Sequence, residues 1–289
     1  MSLSKKYIGA VFTDLDGTFL KNSSEVCEYN IEALEKLADY HVARIAATGR
    51  NINSAREVIG YSLPFDFLMF STGAGVCDYK TDNIIAREEL DMSHVFTLYS
   101  YFLSKGCDFS VHFPIPENHR FYWFSPNKEV SEEMQRRLNG LKEFSHKGSK
   151  ELLEKMTSAT QLLAVEREGR AVEIIEEMKL LFPELSIIRA TSPLNDAYVW
   201  IEVFPDGISK GESASKLCNL LGIERANTMS IGNDYNDHSM LEWTGEAFAV
   251  ANAPSDFLPH FERVAANDER GFADAVDRWL KLMGFLRQA

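Results

Sequence analysis

The chain has 289 residues, 45% hydrophobic and 25% charged, which is ordinary for a globular protein of one or two domains. A net charge of −13 and a pI near 5.1 argue against nucleic acid as the main partner, because a phosphate backbone would be repelled. A small anionic substrate stays open to it, since local cations or a metal can reverse the field inside a cleft. No run approaches the roughly 20 apolar residues that span a bilayer. Met1–Lys6 is polar with no secretory apolar region, and Cys27, Cys77, Cys107 and Cys218 form no CxxC pair. A cytoplasmic protein with reduced, buried thiols and no membrane partner is expected.

In chain order, Tyr7–Thr13 reads as a buried strand entering a loop at Asp14-Leu15-Asp16-Gly17-Thr18. Ile31, Leu34, Leu37 and Ala38 recur at helical spacing, Val42–Ala47 is strand-like, a helix follows around Ser54–Ile59, and Phe65–Phe70 is again apolar. This β-α-β-α-β order predicts a parallel sheet with covering helices, with ligands beyond the carboxyl ends of its strands. Asp14, Thr48 and Ser71 each follow such a strand.

The middle of the chain differs. Helices are predicted over Met92–Lys105, Lys128–Leu141 and Ala171–Phe182, and strands over Phe109–Phe113, Phe121–Phe124, Gln161–Val165 and Ser186–Ala190. Its dense aromatics read as the buried face of a small sheet. After Ala197 the first pattern returns: strand Val199–Phe204, helix Lys210–Leu221 stopped by Gly222, strand Thr228–Ile231, short strands Phe248–Val250 and Arg263–Ala265, and a closing helix Phe272–Met283. The expected organisation is an α/β core from residues 1–82 and 195–289, with an α+β insert at 83–194.

Four polar clusters sit where a strand meets a loop. Asp14 and Asp16, two apart, should share a side of the chain; carboxylates that close raise each other's pKa unless a cation intervenes, and oxygen-only ligation suits Mg²⁺. A solvated Asp-Gly turn would read the same in isolation. Thr48-Gly49-Arg50 offers a hydroxyl, a permissive glycine and an arginine, which suits an oxyanion at a helix start. Lys210 lies in the first turn of a helix, where it opposes the macrodipole, so balancing carboxylates and phosphate would explain its placement. Gly232-Asn233-Asp234-Tyr235-Asn236-Asp237 packs two acids and two amides into six residues, more than helix capping requires. His112, His119 and Arg120 in the insert could face a substrate, with packing or surface roles as the plainer reading.

Asp-x-Asp-Gly-Thr, strand-Thr-Gly-Arg, a lysine heading a helix and Gly-Asn-Asp-x-Asn-Asp, in that order, resemble the haloacid dehalogenase (HAD) superfamily. The large insert resembles the type C2B cap of its Cof-like sugar-phosphatase branch, and Asn252-Ala253 also resembles an element of that branch. The resemblance implies a Rossmann-like core with an inserted cap acting as a lid, and a Mg²⁺-dependent phosphatase of small phosphomonoesters, foremost sugar phosphates. It implies Asp14 as nucleophile and Asp16 as general acid and base, a raised pKa for one of the pair suiting that division. Thr48, Gly49, Arg50, Lys210 and Asn236 would bind phosphate. Asp14, Asp16, Asn233, Asp234 and Asp237 would serve the metal, with Asn233 standing where the branch often has an acid. Either Asn233 or Asp234 would then be the direct ligand, and Asp237 an orienting or water-mediated one. A phosphomannomutase-like phosphotransferase and a non-catalytic binder on the same fold are the alternatives. A monomer or weak homo-oligomer is expected.

Overall fold

The computed structural model describes residues 6–192, 194–195, 197–254 and 261–285, so most of the polar N-terminal segment lies outside the described residues. The chain divides into two units, one from residues 1–86 and 209–289 and one from residues 87–208.

The first unit begins with β1 (Gly9–Thr13), α1 (Glu28–Asp39), β2 (Val42–Ala47), α2 (Ile52–Ile59) and β3 (Phe67–Phe70), followed by β4 (Gly75–Asp78) and β5 (Ile84–Arg87). Every residue of β1, β2 and β3 is buried, the near-continuous apolar run of a parallel strand covered on both faces. Asn51 caps α2, its side chain accepting from Ser54 N, so that helix begins two residues before the apolar pattern predicts. The β3–β4 hairpin is antiparallel and was not anticipated, because Gly75-Val-Cys-Asp is too short to carry a period of its own.

The second unit runs through α3 (Met92–Lys105), β6 (Asp108–His112), β7 (Phe121–Phe124), α4 (Glu132–Gly140), β8 (Ser145–Lys147), α5 (Lys150–Leu153), β9 (Leu162–Arg167), α6 (Glu168–Leu181), β10 (Leu185–Thr191) and β11 (Tyr198–Pro205). Its sheet has the order β10-β11-β9-β6-β7-β8. The dense aromatics are core, as expected: Phe109 and Phe124 stack at 5.1 Å between ring centres, with Phe102 and Tyr99 against them. His112 is buried, its Nδ1 donating to the Asn118 carbonyl at 2.9 Å and its Nε2 accepting from Arg137 at 3.0 Å. Burial, then the Arg137 charge, pushes its pKa down to about 3, so it is a neutral packing residue. His119 rests edge-on against Phe144, and the Arg120 guanidinium lies over Phe113.

The boundary differs from the expected one. The strand read as Val199–Phe204 pairs antiparallel with β10 and β9 in the second sheet, not with the parallel core. A buried apolar run looks the same in either sheet. The deciding feature is register: β11 pairs antiparallel along its length with β10, from Leu185 opposite Pro205 to Thr191 opposite Val199.

The chain then returns to the first unit with α7 (Lys210–Leu221), β12 (Thr228–Gly232), α8 (His238–Trp243), β13 (Glu246–Val250), β14 (Glu262–Val264) and α9 (Gly271–Leu282). Its sheet order is β14-β13-β12-β1-β2-β3-β4-β5, with parallel pairing from β14 through β3. Helix α9 buries Phe272, Ala275, Val276, Trp279 and Leu280, a stripe at helical spacing in which each large side chain contributes about 1.5–3 kcal/mol. The α/β class holds, with the loops after β1, β2 and β12 at the carboxyl ends of three adjacent strands.

Candidate active site

The centre of the first unit is a buried ion triad. Asp14 leaves the end of β1 in extended conformation, and its Oδ1 accepts from Lys210 Nζ at 2.6 Å. The same ammonium donates to Asp237 Oδ1 at 2.6 Å, and the Lys210 side chain is fully buried. Ser209 explains how a helix can begin with this lysine, its Oγ accepting from Glu212 N at 3.1 Å to supply the cap. Gly211 brings α7 against α8: a Cβ there would lie 2.2 Å from the Ser239 carbonyl oxygen. Burial, and next the charges of Asp237 and Asp16, push the Asp14 carboxyl up to about 8 against the pull of Lys210. Burial opposes the Lys210 charge, but Asp14 and Asp237 outweigh it and hold the ammonium above its ordinary range. The raised member of the sequence pair is therefore Asp14.

Asp237, expected to orient the site or reach the metal through water, has both carboxylate oxygens engaged by protein donors. One of its oxygens takes the lysine, and the other accepts from the main-chain N–H of Asn233 at 2.9 Å and of Asp234 at 3.0 Å. Gly232 makes this approach possible, since a Cβ there would stand 2.5 Å from Asp237 Oδ2.

Asp16 does not join Asp14. Its half-exposed carboxylate makes a two-pronged pair with Arg50, Nε to Oδ2 at 2.7 Å and the terminal nitrogen to Oδ1 at 2.8 Å. Buried Thr48 accepts from the Arg50 main-chain N–H at 3.1 Å. A Cβ on Gly49 would meet Asn236 Nδ2 at 3.3 Å and Thr72 Oγ1 at 3.6 Å, which brings Thr72 and Asn236 together at Gly49, and the Thr48 carbonyl accepts from Thr72 N at 3.0 Å. Thr72 was not foreseen; both it and Ser71 hold left-handed backbone, with φ of 56° and 47°, a conformation that β-branched and other non-glycine residues keep only where their surroundings impose it. The signal was the Ser71-Thr-Gly-Ala-Gly75 run directly after a strand.

The oxygen set beside Asp14 suits a divalent cation. One atom of the Asn233 amide lies 2.9 Å from Thr18 Oγ1, 2.9 Å from the Asp16 carbonyl oxygen and 3.3 Å from Asp14 Oδ2. With nitrogen there, the amide donates to all three. With oxygen there, it accepts from the Thr18 hydroxyl and faces two further oxygens, an arrangement that needs a cation. Ligands at ~2.0–2.1 Å around octahedral Mg²⁺ stand about 2.9 Å from their neighbours, so the spacing fits. Asn233, rather than Asp234, is the side chain against these atoms. No group of three or more His, Cys, Asp or Glu residues that could hold a metal occurs among the described residues, so the set combines one carboxylate, one carbonyl and one amide. Gly17, at φ 72°, lets the loop approach this amide, and Asn252 pins it by donating to the Gly17 carbonyl at 2.8 Å.

A family model described as haloacid dehalogenase-like hydrolase matches residues 11–276, which contain every residue above. The chain belongs to the haloacid dehalogenase-like hydrolases. Among HAD relatives, it is 23% identical over 284 residues to the 5-amino-6-(5-phospho-D-ribitylamino)uracil phosphatase YwtE of Bacillus subtilis, covering 92% of this chain and 96% of that protein. It is also 23% identical to the HMP-PP phosphatase of Yersinia pseudotuberculosis, over 92% of this chain and 93% of that one. The fold matches the HAD phosphatase BT1666 of Bacteroides thetaiotaomicron with a TM-score of 0.76 at 18% identity, covering 96% and 97% of the two chains. It matches the HAD subclass IIB sugar phosphatase BT4131 with a TM-score of 0.72 at 22% identity, covering 96% of this chain and all (100%) of that one. These relatives bear out the recognised superfamily branch and the class of phosphoric monoester hydrolase. No helix among the described residues is long and apolar enough to cross a membrane.

Proposed function

We propose that this HAD hydrolase is a Mg²⁺-dependent phosphatase of small phosphorylated metabolites, sugar phosphates foremost, working through an aspartyl-phosphate on Asp14. The observation that carries this is Asp14 itself, buried at the end of β1 and held by the buried Lys210 ammonium 2.6 Å away. That contact fixes one carboxylate oxygen and leaves the other, Oδ2, on the side of the Asn233 amide.

In the first step an Asp14 oxygen forms a bond to phosphorus while the bond from phosphorus to the leaving oxygen breaks, and Asp16 gives that oxygen its proton. In the second step Asp16 takes a proton from water, the water oxygen attacks phosphorus, and the bond to Asp14 breaks to release inorganic phosphate. Thr48, with the N–H groups near Gly49 and Thr72, would receive the phosphoryl oxygens, and Lys210 would steady Asp14 and balance the added charge. Asp14 Oδ2, the Asp16 carbonyl and the Asn233 amide oxygen would hold Mg²⁺, whose contribution when bound is to offset repulsion between nucleophile and phosphate. The inserted unit, 87–208, would act as the cap that selects the leaving group.

Phosphate release from a panel of sugar and other metabolite phosphates, with Mg²⁺ or with EDTA, tests the reading. Turnover that needs the metal and is lost in Asp14→Asn supports it. Absence of turnover across the panel, or full activity in Asp14→Asn, overturns it.

A further inference from the structure

We propose that Arg50 serves two anions in turn: in the free protein it holds the Asp16 carboxylate, and an arriving phosphoryl group takes the guanidinium over and sets Asp16 free. This rests on the phosphatase reading and adds a positioning role to it.

The pair is a fork on a fork, with both Asp16 oxygens accepting, at 2.7 and 2.8 Å, from two nitrogens on one edge of Arg50. That edge matches two oxygens of a phosphoryl group equally well. A carboxylate held this way points along the fork, and it can serve a leaving oxygen only after turning from it. The support behind Arg50 is rigid: its main-chain N–H donates to Thr48 Oγ1 at 3.1 Å, its carbonyl accepts from Ser71 N at 2.8 Å, and the guanidinium also reaches the Ser54 carbonyl at 3.4 Å. The loop carrying Asp16 is pinned as well, through Asn252 on the Gly17 carbonyl. Exchange therefore needs only side-chain rotation. It is also cheap in the free protein, because the two side chains are 30% and 49% exposed and exposed ion pairs are weak. A doubly charged phosphoryl group bound beside Thr48 outcompetes a single carboxylate for the same donors.

The test is a double-mutant cycle read by calorimetric binding of inorganic phosphate in the presence of Mg²⁺, which does not depend on turnover. If Asp16 competes for Arg50, Asp16→Asn tightens phosphate binding by roughly two- to five-fold, the range set by a weak exposed pair. Arg50→Gln weakens it, and Asp16→Asn then gives no gain in the Arg50→Gln background. Arg50→Lys, which keeps the charge without the fork, should fall between wild type and Arg50→Gln. Equal tightening in both backgrounds would mean simple repulsion of phosphate by Asp16 and would overturn the proposal, as would unchanged or weaker binding in Asp16→Asn. Either outcome alongside normal metal-dependent turnover sinks the exchange alone. Failure of the wild-type protein both to bind phosphate and to turn over any substrate sinks the phosphatase reading with it.

Discussion

Replacing Lys210 by methionine isolates the strongest electrostatic element of the site. The ammonium is fully buried and lies 2.6 Å from both Asp14 Oδ1 and Asp237 Oδ1. Methionine fills the same volume but leaves two buried acids facing each other without a cation. Removing one partner of a buried ion pair costs about 3–5 kcal/mol, chiefly because the remaining charge is stranded. At about 2 °C per kcal/mol for a protein of this size, thermal unfolding of the first unit should fall by roughly 6–10 °C. Adding Asp14→Asn removes one stranded charge, so the double variant should recover at least ~1 kcal/mol relative to the sum of the single effects. Unfolding would be followed by circular dichroism at pH 9 in EDTA, above the value of about 8 to which folding raises Asp14, so that both acids are charged beside Lys210 and no metal cation substitutes for the lysine. A Lys210→Met melting point within about 1 °C of wild type, or strict additivity with Asp14→Asn, would refute the triad as an energetic unit.

Asp14→Asn should gain stability over wild type as pH rises, because a carboxyl raised by folding contributes stability that is complete below its unfolded value, near 3.8, and lost through its folded value, about 8. Melting curves in EDTA at pH 4, 6 and 8 check this, and a stability difference that does not grow over that window contradicts it. Asn233→Asp adds a charge to the oxygen set and should tighten Mg²⁺ by about tenfold or more in calorimetry; unchanged affinity would remove Asn233 from the cation site. Gly211→Ala places a methyl 2.2 Å from the Ser239 carbonyl and should cost about 1–3 kcal/mol in urea unfolding, by forcing α7 and α8 apart. Arg137→Met in the second unit removes the buried cation that balances Glu133 and Glu202 and should lower that unit's stability by several kcal/mol. The unit should also lose stability as pH falls below about 6.5, because buried His112 stays neutral while the unfolded imidazole takes up a proton.

The choice of which residues gather was legible before folding. Asp14, Thr48 and the Gly232–Asp237 run each end an apolar strand, and a parallel sheet brings strand ends to one edge whatever the details of packing. Lys210 stood out because its position made no sense for helix stability alone. The paired partners were not legible, since a side chain's sequence neighbours do not say which atom it will meet. Arg50 suited phosphate from its motif, yet only the tertiary structure turned its fork onto Asp16. Asp237 read as an orienting or water-mediated residue, but that Lys210 and two main-chain N–H groups take its two oxygens was not visible in the sequence. The same limit moved β11 from one sheet to the other, because an apolar strand carries its burial in its composition and its partner only in its register. Sequence thus determined the chemical inventory and the end of the sheet where it collects. Tertiary packing decided who holds whom: burial made Asp14 the raised carboxyl, and the approach of the Gly17 loop set Asn233 against the Asp14 and Asp16 oxygens.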